Sequence, residues 1–276
     1  MGSPKLIITW ANRSFWTPRV VWNAIDTTTG LASDVAGYRV SASGDVINLG
    51  FPIIISASNT PHQVDIAYNL AADGYLAVWR RMRTTADWDI YGRCLKWDGT
   101  PDGGEFAINS ETVDQRYPAV TTNTQDRYLV VWQHAYSPTD WDIKGQYLNI
   151  SGGAVGSSYN IAYTGANEMY PDVASADPLA NEYVTVWQIP TSTGTAIRAR
   201  RNRLVGSTIT SLNYFDVASY GFWDSEKPVV ACGSPGFLFA YEGDSASDPA
   251  VKRHIYGRVW WPNALYLPFI MKNLVK

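Results

Sequence analysis

The sequence predicts an all-β protein: one five-bladed β-propeller of four-stranded antiparallel blades. Three observations carry that expectation. An apolar run ending in an aromatic residue recurs five times, as RVVW (19–22), YLAVW (75–79), YLVVW (128–132), YVTVW (183–187) and FLFAY (237–241). The last residues of these runs are spaced by 57, 53, 55 and 54 positions, a period that marks a repeat architecture. No stretch of 11 or more residues shows helical periodicity.

Each repeat holds four short segments, here called strands a, b, c and d. Strand b is the run above. Strand a precedes it: LIIT (6–9), VDIA (64–67), PAVT (118–121), PDVA (171–174) and PVVA (228–231). Strand c follows: DVAGYRV (34–40), DIYGRCL (89–95), DIKGQYL (142–148), AIRARRN (196–202) and HIYGRVW (254–260). Strand d closes the repeat: PIII (52–55), FAIN (106–109), YNIA (159–162), YFDV (214–217) and YLPFIM (266–271). All are short, β-branched or aromatic, and bounded by Gly, Asp, Asn, Ser or Pro, as strands are. Such units bury their faces by stacking on neighbours, and radial repetition of four-stranded sheets is a propeller. The expected blades are 4–58, 59–112, 113–166, 167–222 and 223–273, within a single domain 1–276. Blade 5 reaches its last strand by a short Pro262-Asn263-Ala264 turn, so ring closure stays open: a complete blade 5, or a clasp by the N-terminal strand.

Residue choices within the strands carry local expectations. Gly37, Gly92, Gly145 and Gly257 lie inside strand c, where Gly marks a bulge or a close backbone approach. Asp34, Asp89 and Asp142 are read as caps of the turn entering strand c, with His254 in the same place in blade 5. Pro118, Pro171 and Pro228 open strand a, where a missing N–H does least harm. Trp22, Trp79, Trp132 and Trp187 end apolar strands and are read as core. Cys94 and Cys232 sit in non-adjacent repeats and are read as buried thiols.

Composition narrows the function classes. With 276 residues and 46% hydrophobic content the chain can build a large core. A net charge of −3 offers no basic field for nucleic acid. No apolar run is long enough for a membrane helix, so no membrane insertion is expected. There is no G-x-S-x-G, H-E-x-x-H, G-x-x-x-x-G-K-[ST] or C-x-x-C. Three histidines, His62, His134 and His254, argue against a multi-His metal site. No cofactor is expected, with Ca²⁺ on loop carboxylates the one exception to consider. No charged-then-apolar leader opens the chain, and Met1-Gly2-Ser3 reads as a start from which a native leader was removed.

The repeats P-x-V-A, Y-L-V-V-W and D-I-Y-G-x-R-V resemble those of secreted and cell-surface bacterial β-propeller proteins. The resemblance covers nearly the whole chain, is strongest in blades 2 and 3, and weakens in blade 4, where AIRARRN lacks the Asp and Gly. The tail LYLPFIMKN (265–273) looks like the ends of some secreted bacterial proteins. It implies an extracellular or cell-surface location and no particular catalytic residue. Five-bladed propellers elsewhere include lectins and glycoside hydrolases, a likeness of fold alone.

Propeller function gathers on the loops joining d to a and b to c. Asp114, Gln115, Asn167, Glu168 and Asp224 stand before strand a, and could serve acid–base chemistry, sugar hydroxyls or Ca²⁺. Trp88, Trp141 and Trp223 lie beside these loops. Flat rings among carboxylates and amides suit a sugar ring, and the equivalence of Trp88 and Trp141 suggests repeated sites. Asp65 and Asp172 occupy equivalent strand-a positions two blades apart and are the alternative catalytic candidates, with Glu168 and Asp224. The corresponding Ala119 and Val229 count against a hydrolase, which would place acids in three blades. Two basic clusters, Arg80-Arg81-Met82-Arg83 and Arg198 to Arg203, read as solvated faces or as contacts for acidic polysaccharide. The leading expectation is therefore a monomeric, non-catalytic module binding carbohydrate or a cell-surface protein. A glycoside hydrolase or polysaccharide lyase is the alternative, and a protein-interaction scaffold a further one.

Overall fold

In the computed structural model the described residues are 7–9, 19–25, 32–39, 45, 53–56, 61–84, 87–123, 126–177, 182–192, 194–206, 208–218, 225–233, 236–243, 254–260 and 267–271. Every strand pairs antiparallel with its neighbour in chain order, giving five sheets of four strands. The first holds β1 (Ile7–Thr9), β2 (Arg19–Ile25), β3 (Ala32–Arg39) and β4 (Ile53–Ser56). The second holds β5 (Pro61–Asn69), β6 (Gly74–Thr84), β7 (Asp87–Lys96) and β8 (Phe106–Asn109). The third holds β9 (Gln115–Thr122), β10 (Arg127–Ser137), β11 (Asp140–Asn149) and β12 (Ala154–Ala162). The fourth holds β13 (Met169–Asp177), β14 (Glu182–Thr191), β15 (Gly194–Val205) and β16 (Thr208–Ala218). The fifth holds β17 (Ser225–Gly233), β18 (Gly236–Gly243), β19 (His254–Trp260) and β20 (Leu267–Met271). Each sheet is one repeat of the sequence, with strands a to d in order. The closure question resolves strand by strand. β1 pairs with β2, and β20 pairs with β19 from Ile255↔Met271 to Val259↔Leu267, so blade 5 is completed by its own last strand.

Two units pack separately: residues 1–134 with 145–158, and residues 135–144 with 159–276. In the first, Tyr75, Ala77 and Trp79 of β6 pack with Val35, Val64, Ile66, Tyr68 and Leu95. The alternate residues Leu76 and Val78 pack on the other face with Val120, Tyr128, Val130, Trp132 and Leu148. Strand b is thus buried on both faces, and such strands read as continuous apolar runs rather than alternating ones. In the second unit, Val184, Val186, Ile197 and Ala199 pack against Val230, Phe237, Phe239 and Trp260. Trp79, Trp132 and Trp187 are all but fully buried, each contributing about 2–3 kcal/mol by area.

Strand a carries a device that the sequence did not announce. Gln63, Tyr117, Tyr170 and Lys227 have φ of 55, 53, 54 and 48°, a left-handed backbone that costs a non-glycine residue about 1–2 kcal/mol. At each, the register skips, so two residues face one: Gln63-Val64 face Trp79, Tyr117-Pro118 face Trp132, Tyr170-Pro171 face Trp187, and Lys227-Pro228 face Tyr241. These are β-bulges. Pro118, Pro171 and Pro228 therefore sit in a bulge, where no ladder bond is lost.

Gly92 marks the close approach rather than a bulge: it pairs in register with Val78, and a Cβ there would meet the Ala77 carbonyl oxygen at 3.3 Å and Ile108 Cδ1 at 2.9 Å. Two local expectations change. Asp89 does not cap a turn: it lies within β7, fully buried, and neither carboxylate oxygen accepts a hydrogen bond. Cys94 is half-buried and Cys232 exposed, because β17 shows its outer end to solvent.

Candidate active site

In every blade the start of strand a and the start of strand c lie at the same end, since a, b, c and d alternate in direction. The junction of the third and fourth repeats brings three carboxylates to that end. Glu168 stands immediately before β13, and its N–H donates to the carbonyl of Trp141 in β11 at 2.7 Å. Its side chain has no exposed surface. The Thr164 hydroxyl donates to Glu168 Oε1, and the Thr164 N–H to Oε2 at 3.4 Å. Burial pushes the Glu168 carboxyl up to about 7; the Thr164 hydrogen bonds oppose the rise, and the charges of Asp142 and Asp140 add to it. Asp142 is itself raised, by burial first and then by Asp140, with Lys144 opposing. Asp140 is half-buried, and its Oδ1 has no hydrogen-bond partner. Asn167 Oδ1 is likewise buried and unpartnered.

The preceding repeat supplies an internal control. Asp87, Asp89 and Gln115 are the counterparts of Asp140, Asp142 and Glu168. There the third carboxyl is an amide, and it is used up. Gln115 is fully buried; its Oε1 accepts from Ile90 N–H at 3.3 Å, and its Nε2 donates to Glu111 O at 3.3 Å and Val113 O at 3.2 Å. A cation also balances that site: Arg83 Nε bonds Asp87 Oδ2 at 2.9 Å and lies 3.5 Å from Asp89 Oδ2. The counterpart of Arg83 is Tyr136, which is 74% exposed. In the next blade the same positions are Gly194, Ala196 and Ser225. Among the described junctions, only the one at Glu168 combines three carboxylates without an arginine.

The other sequence candidates separate in space and in role. Asp65 Oδ2 accepts from Val120 N–H at 2.8 Å, and Asp172 Oδ2 accepts from Val230 N–H at 2.8 Å. Both carboxylates tie strand a of one blade to strand a of the next. Asp114 is paired with Arg116, whose Nε donates to Asp114 Oδ2 at 2.8 Å. The ring of Trp88 is covered by the Arg80 guanidinium, 4.3 Å from its centroid, so that face is not open to a sugar. Trp141 is half-buried beside Glu168. Trp223 and Asp224 lie outside the described residues. Sequence reasoning flagged Glu168 but missed Asp140 and took Asp142 for a cap; aligning the repeats column by column, with Arg83 falling on Tyr136, carries the signal. Among the described residues no group of three or more His, Cys, Asp or Glu is placed to hold a metal ion. No described helix is long and apolar enough to cross a membrane. An opening of about 490 Å³ lies at the other end of β6 and β7, lined by Tyr75, Cys94, Trp97 and Tyr128; its Asp73 accepts from Tyr68 Oη at 2.9 Å.

No protein-family model matches the chain, and no curated protein matches it in sequence. Solved structures do share its fold. A thermostable family-43 glycoside hydrolase superposes with a TM-score of 0.57 at 5% identity, over 97% of this chain and 93% of that one. An endo-arabinase from Bacteroides thetaiotaomicron gives 0.55 at 11% identity, over 99% and 96%. An α-L-arabinofuranosidase from Lactobacillus brevis gives 0.55 at 7% identity, over 94% and 92%. These are five-bladed propeller enzymes, and this chain is an all-β five-bladed β-propeller of four-stranded antiparallel blades. The expectation of a non-catalytic, lectin-like module is corrected by the same finding: the structures that share the fold are glycoside hydrolases.

Proposed function

We propose that the protein is a glycoside hydrolase acting on a pentose-containing polysaccharide outside the cytoplasm, with Glu168 as general acid and Asp140 as the partner carboxylate. The observation that carries this reading is the Glu168 junction. A carboxyl held to about 7 still bears its proton at mildly acidic pH, as a general acid must. Asp140 supplies the second carboxyl group of the pair that glycoside cleavage uses. Glu168 gives its proton to the glycosidic oxygen as the bond to the anomeric carbon breaks. The oxygen of a water bonds to the anomeric carbon, and Asp140 takes the proton that this water gives up. Asp142, more buried than Asp140, keeps the proton on Glu168 by opposing its ionisation. The exposed Thr164 is the residue bonded to the buried Glu168 carboxyl, so the proton leaves for substrate on the Thr164 side.

The pentose preference rests on the proteins that share the fold: an endo-arabinase, an α-L-arabinofuranosidase and an exo-1,5-α-L-arabinanase from a bovine ruminal metagenomic library, the last with a TM-score of 0.53 at 10% identity. An extracellular location follows from polymeric substrates and from the repeats' resemblance to secreted proteins. The test is reducing-sugar release from arabinan, xylan and hexose polymers at mildly acidic pH. Wild type is expected to act on a pentose polymer, and Glu168→Gln and Asp140→Asn to lose at least about a hundredfold, the lower range for a general acid or base. Release that persists in both variants would remove this junction from the chemistry.

A further inference from the structure

Strand b of each blade ends in an aromatic residue, and in blade 4 the residue after it holds the bulge of the next blade. That residue is Gln188, whose Oε1 accepts the N–H of Lys227, the left-handed residue of the next strand a, at 3.1 Å. In blade 3 the position is again a buried glutamine, Gln133. In blade 2 it is Arg80. The amide of the next left-handed residue, Tyr117, is held there by a substitute: Gln63 Oε1 accepts its N–H at 2.7 Å. The Tyr117 amide is thus satisfied without Arg80, whereas in blade 4 Gln188 fills that role.

The Arg80 guanidinium is unusually placed. Its Cζ lies over the Trp88 ring, 4.3 Å from the centroid, and its Nε is buried without a hydrogen-bond partner. Burial and the nearby positive charge of Arg116 both disfavour its proton, while Tyr117 and Asp114 oppose that effect. Arg116 is held in place by Asp114 and is 40% exposed. Other arginines of the two basic clusters are neutralised within the fold: Arg81 by Glu105 at 2.8 Å, Arg83 by Asp87, Arg198 by Asp216 at 3.1 Å, and Arg201 by Glu182 at 2.7 Å. Among the described residues Arg80 makes no such ion pair: the carboxylate whose charge acts on it, Asp114, is paired with Arg116, while Arg200 donates to the Leu212 and Ile161 carbonyls. A guanidinium with a buried, unmet donor beside a second cation is short of one negative charge, and its planar fork matches a carboxylate.

We infer that Arg80 and Arg116 bind the carboxylate of a uronic acid residue in the saccharide, with the Trp88 ring against the Arg80 guanidinium. This deepens the hydrolase reading by naming an acidic saccharide as the ligand, and rests on it for the saccharide part alone. Binding is measurable without turnover, so the two readings fail separately.

The experiment is calorimetric titration with D-galacturonate, its neutral methyl ester and inorganic phosphate. Wild type, Arg80→Gln, Arg116→Gln and Glu168→Gln are compared. Arg80→Gln installs the residue present at positions 133 and 188, and Arg116→Gln serves if that variant does not fold. The expected result is galacturonate binding that falls at least tenfold in both arginine variants, is absent for the methyl ester, weakens with salt, and persists in Glu168→Gln. Equal binding of acid and ester, or unchanged affinity in the arginine variants, overturns the site. Phosphate bound as tightly as galacturonate overturns the saccharide assignment, leaving an adventitious anion site only.

Discussion

Glu168 is a residue whose chemistry and stability contributions oppose each other. Its carboxyl is pushed up to about 7 in the folded protein, from an ordinary value of 4.5, so the unfolded state gives up the proton first. Folded-state stability is therefore undiminished below about pH 4.5, falls as pH rises towards 7, and stays reduced above it. The full cost is at most about 3 kcal/mol, since each tenfold difference in proton affinity between the two states is worth about 1.36 kcal/mol. Glu168→Gln removes that cost. Thermal melts should show the variant more stable than wild type at mildly alkaline pH, with the advantage gone below about pH 4.5; equal pH dependence in the two proteins would contradict the buried, raised carboxyl. Asp172 has the reverse character. Its Oδ2 takes the Val230 N–H at 2.8 Å, and Asp172→Asn should cost about 1–3 kcal/mol, seen as a lower Tm, while hydrolysis by the folded fraction continues. Lost turnover without lost stability would return Asp172 to the chemistry.

At the scale of the element, the repeated bulge explains both the tryptophans and the prolines. Two strand-a residues face one strand-b aromatic, the first of the two is left-handed, and the second needs no amide. Lys227 is exposed and left-handed at φ 48°, so Lys227→Gly should be more stable than Lys227→Ala by about 1 kcal/mol. Equal melting of the two would contradict the bulge. Gly92→Ala should destabilise by about 1 kcal/mol, since its Cβ would meet the rigid Ala77 carbonyl oxygen at 3.3 Å, while the Ile108 Cδ1 end at 2.9 Å can shift. The strands themselves were legible because burial on both faces of strand b forces unbroken apolar runs such as YLVVW. The bulges were not, because their left-handed residues are Gln, Tyr, Tyr and Lys rather than glycine, and the following proline was the only mark. Asp89 and Asp142 misled for a related reason: Asp before an apolar strand suggests a cap, but the strand begins two residues earlier and carries them inside.

At the scale of the molecule, repetition made the architecture readable and hid the site. Blade count and strand order follow from one period, and the solved structures that share the fold agree with it. The proposed activity and saccharide site depend instead on departures from the period: Glu168 where the previous blade has Gln115, Tyr136 where it has Arg83, and Arg80 where later blades have Gln133 and Gln188. Such single substitutions resemble ordinary drift in a repeat until the charges are placed together. The central claim is that Glu168 delivers the proton to the leaving group, and the most direct test varies how much the leaving group needs it. Wild type and Glu168→Gln should be compared on the polysaccharide cleaved best and on a dinitrophenyl glycoside of the same sugar, whose leaving group departs without protonation. The account predicts that Glu168→Gln loses at least about a hundredfold on the polysaccharide and keeps most of its rate on the dinitrophenyl glycoside. Equal loss on both substrates, or loss on neither, would contradict it.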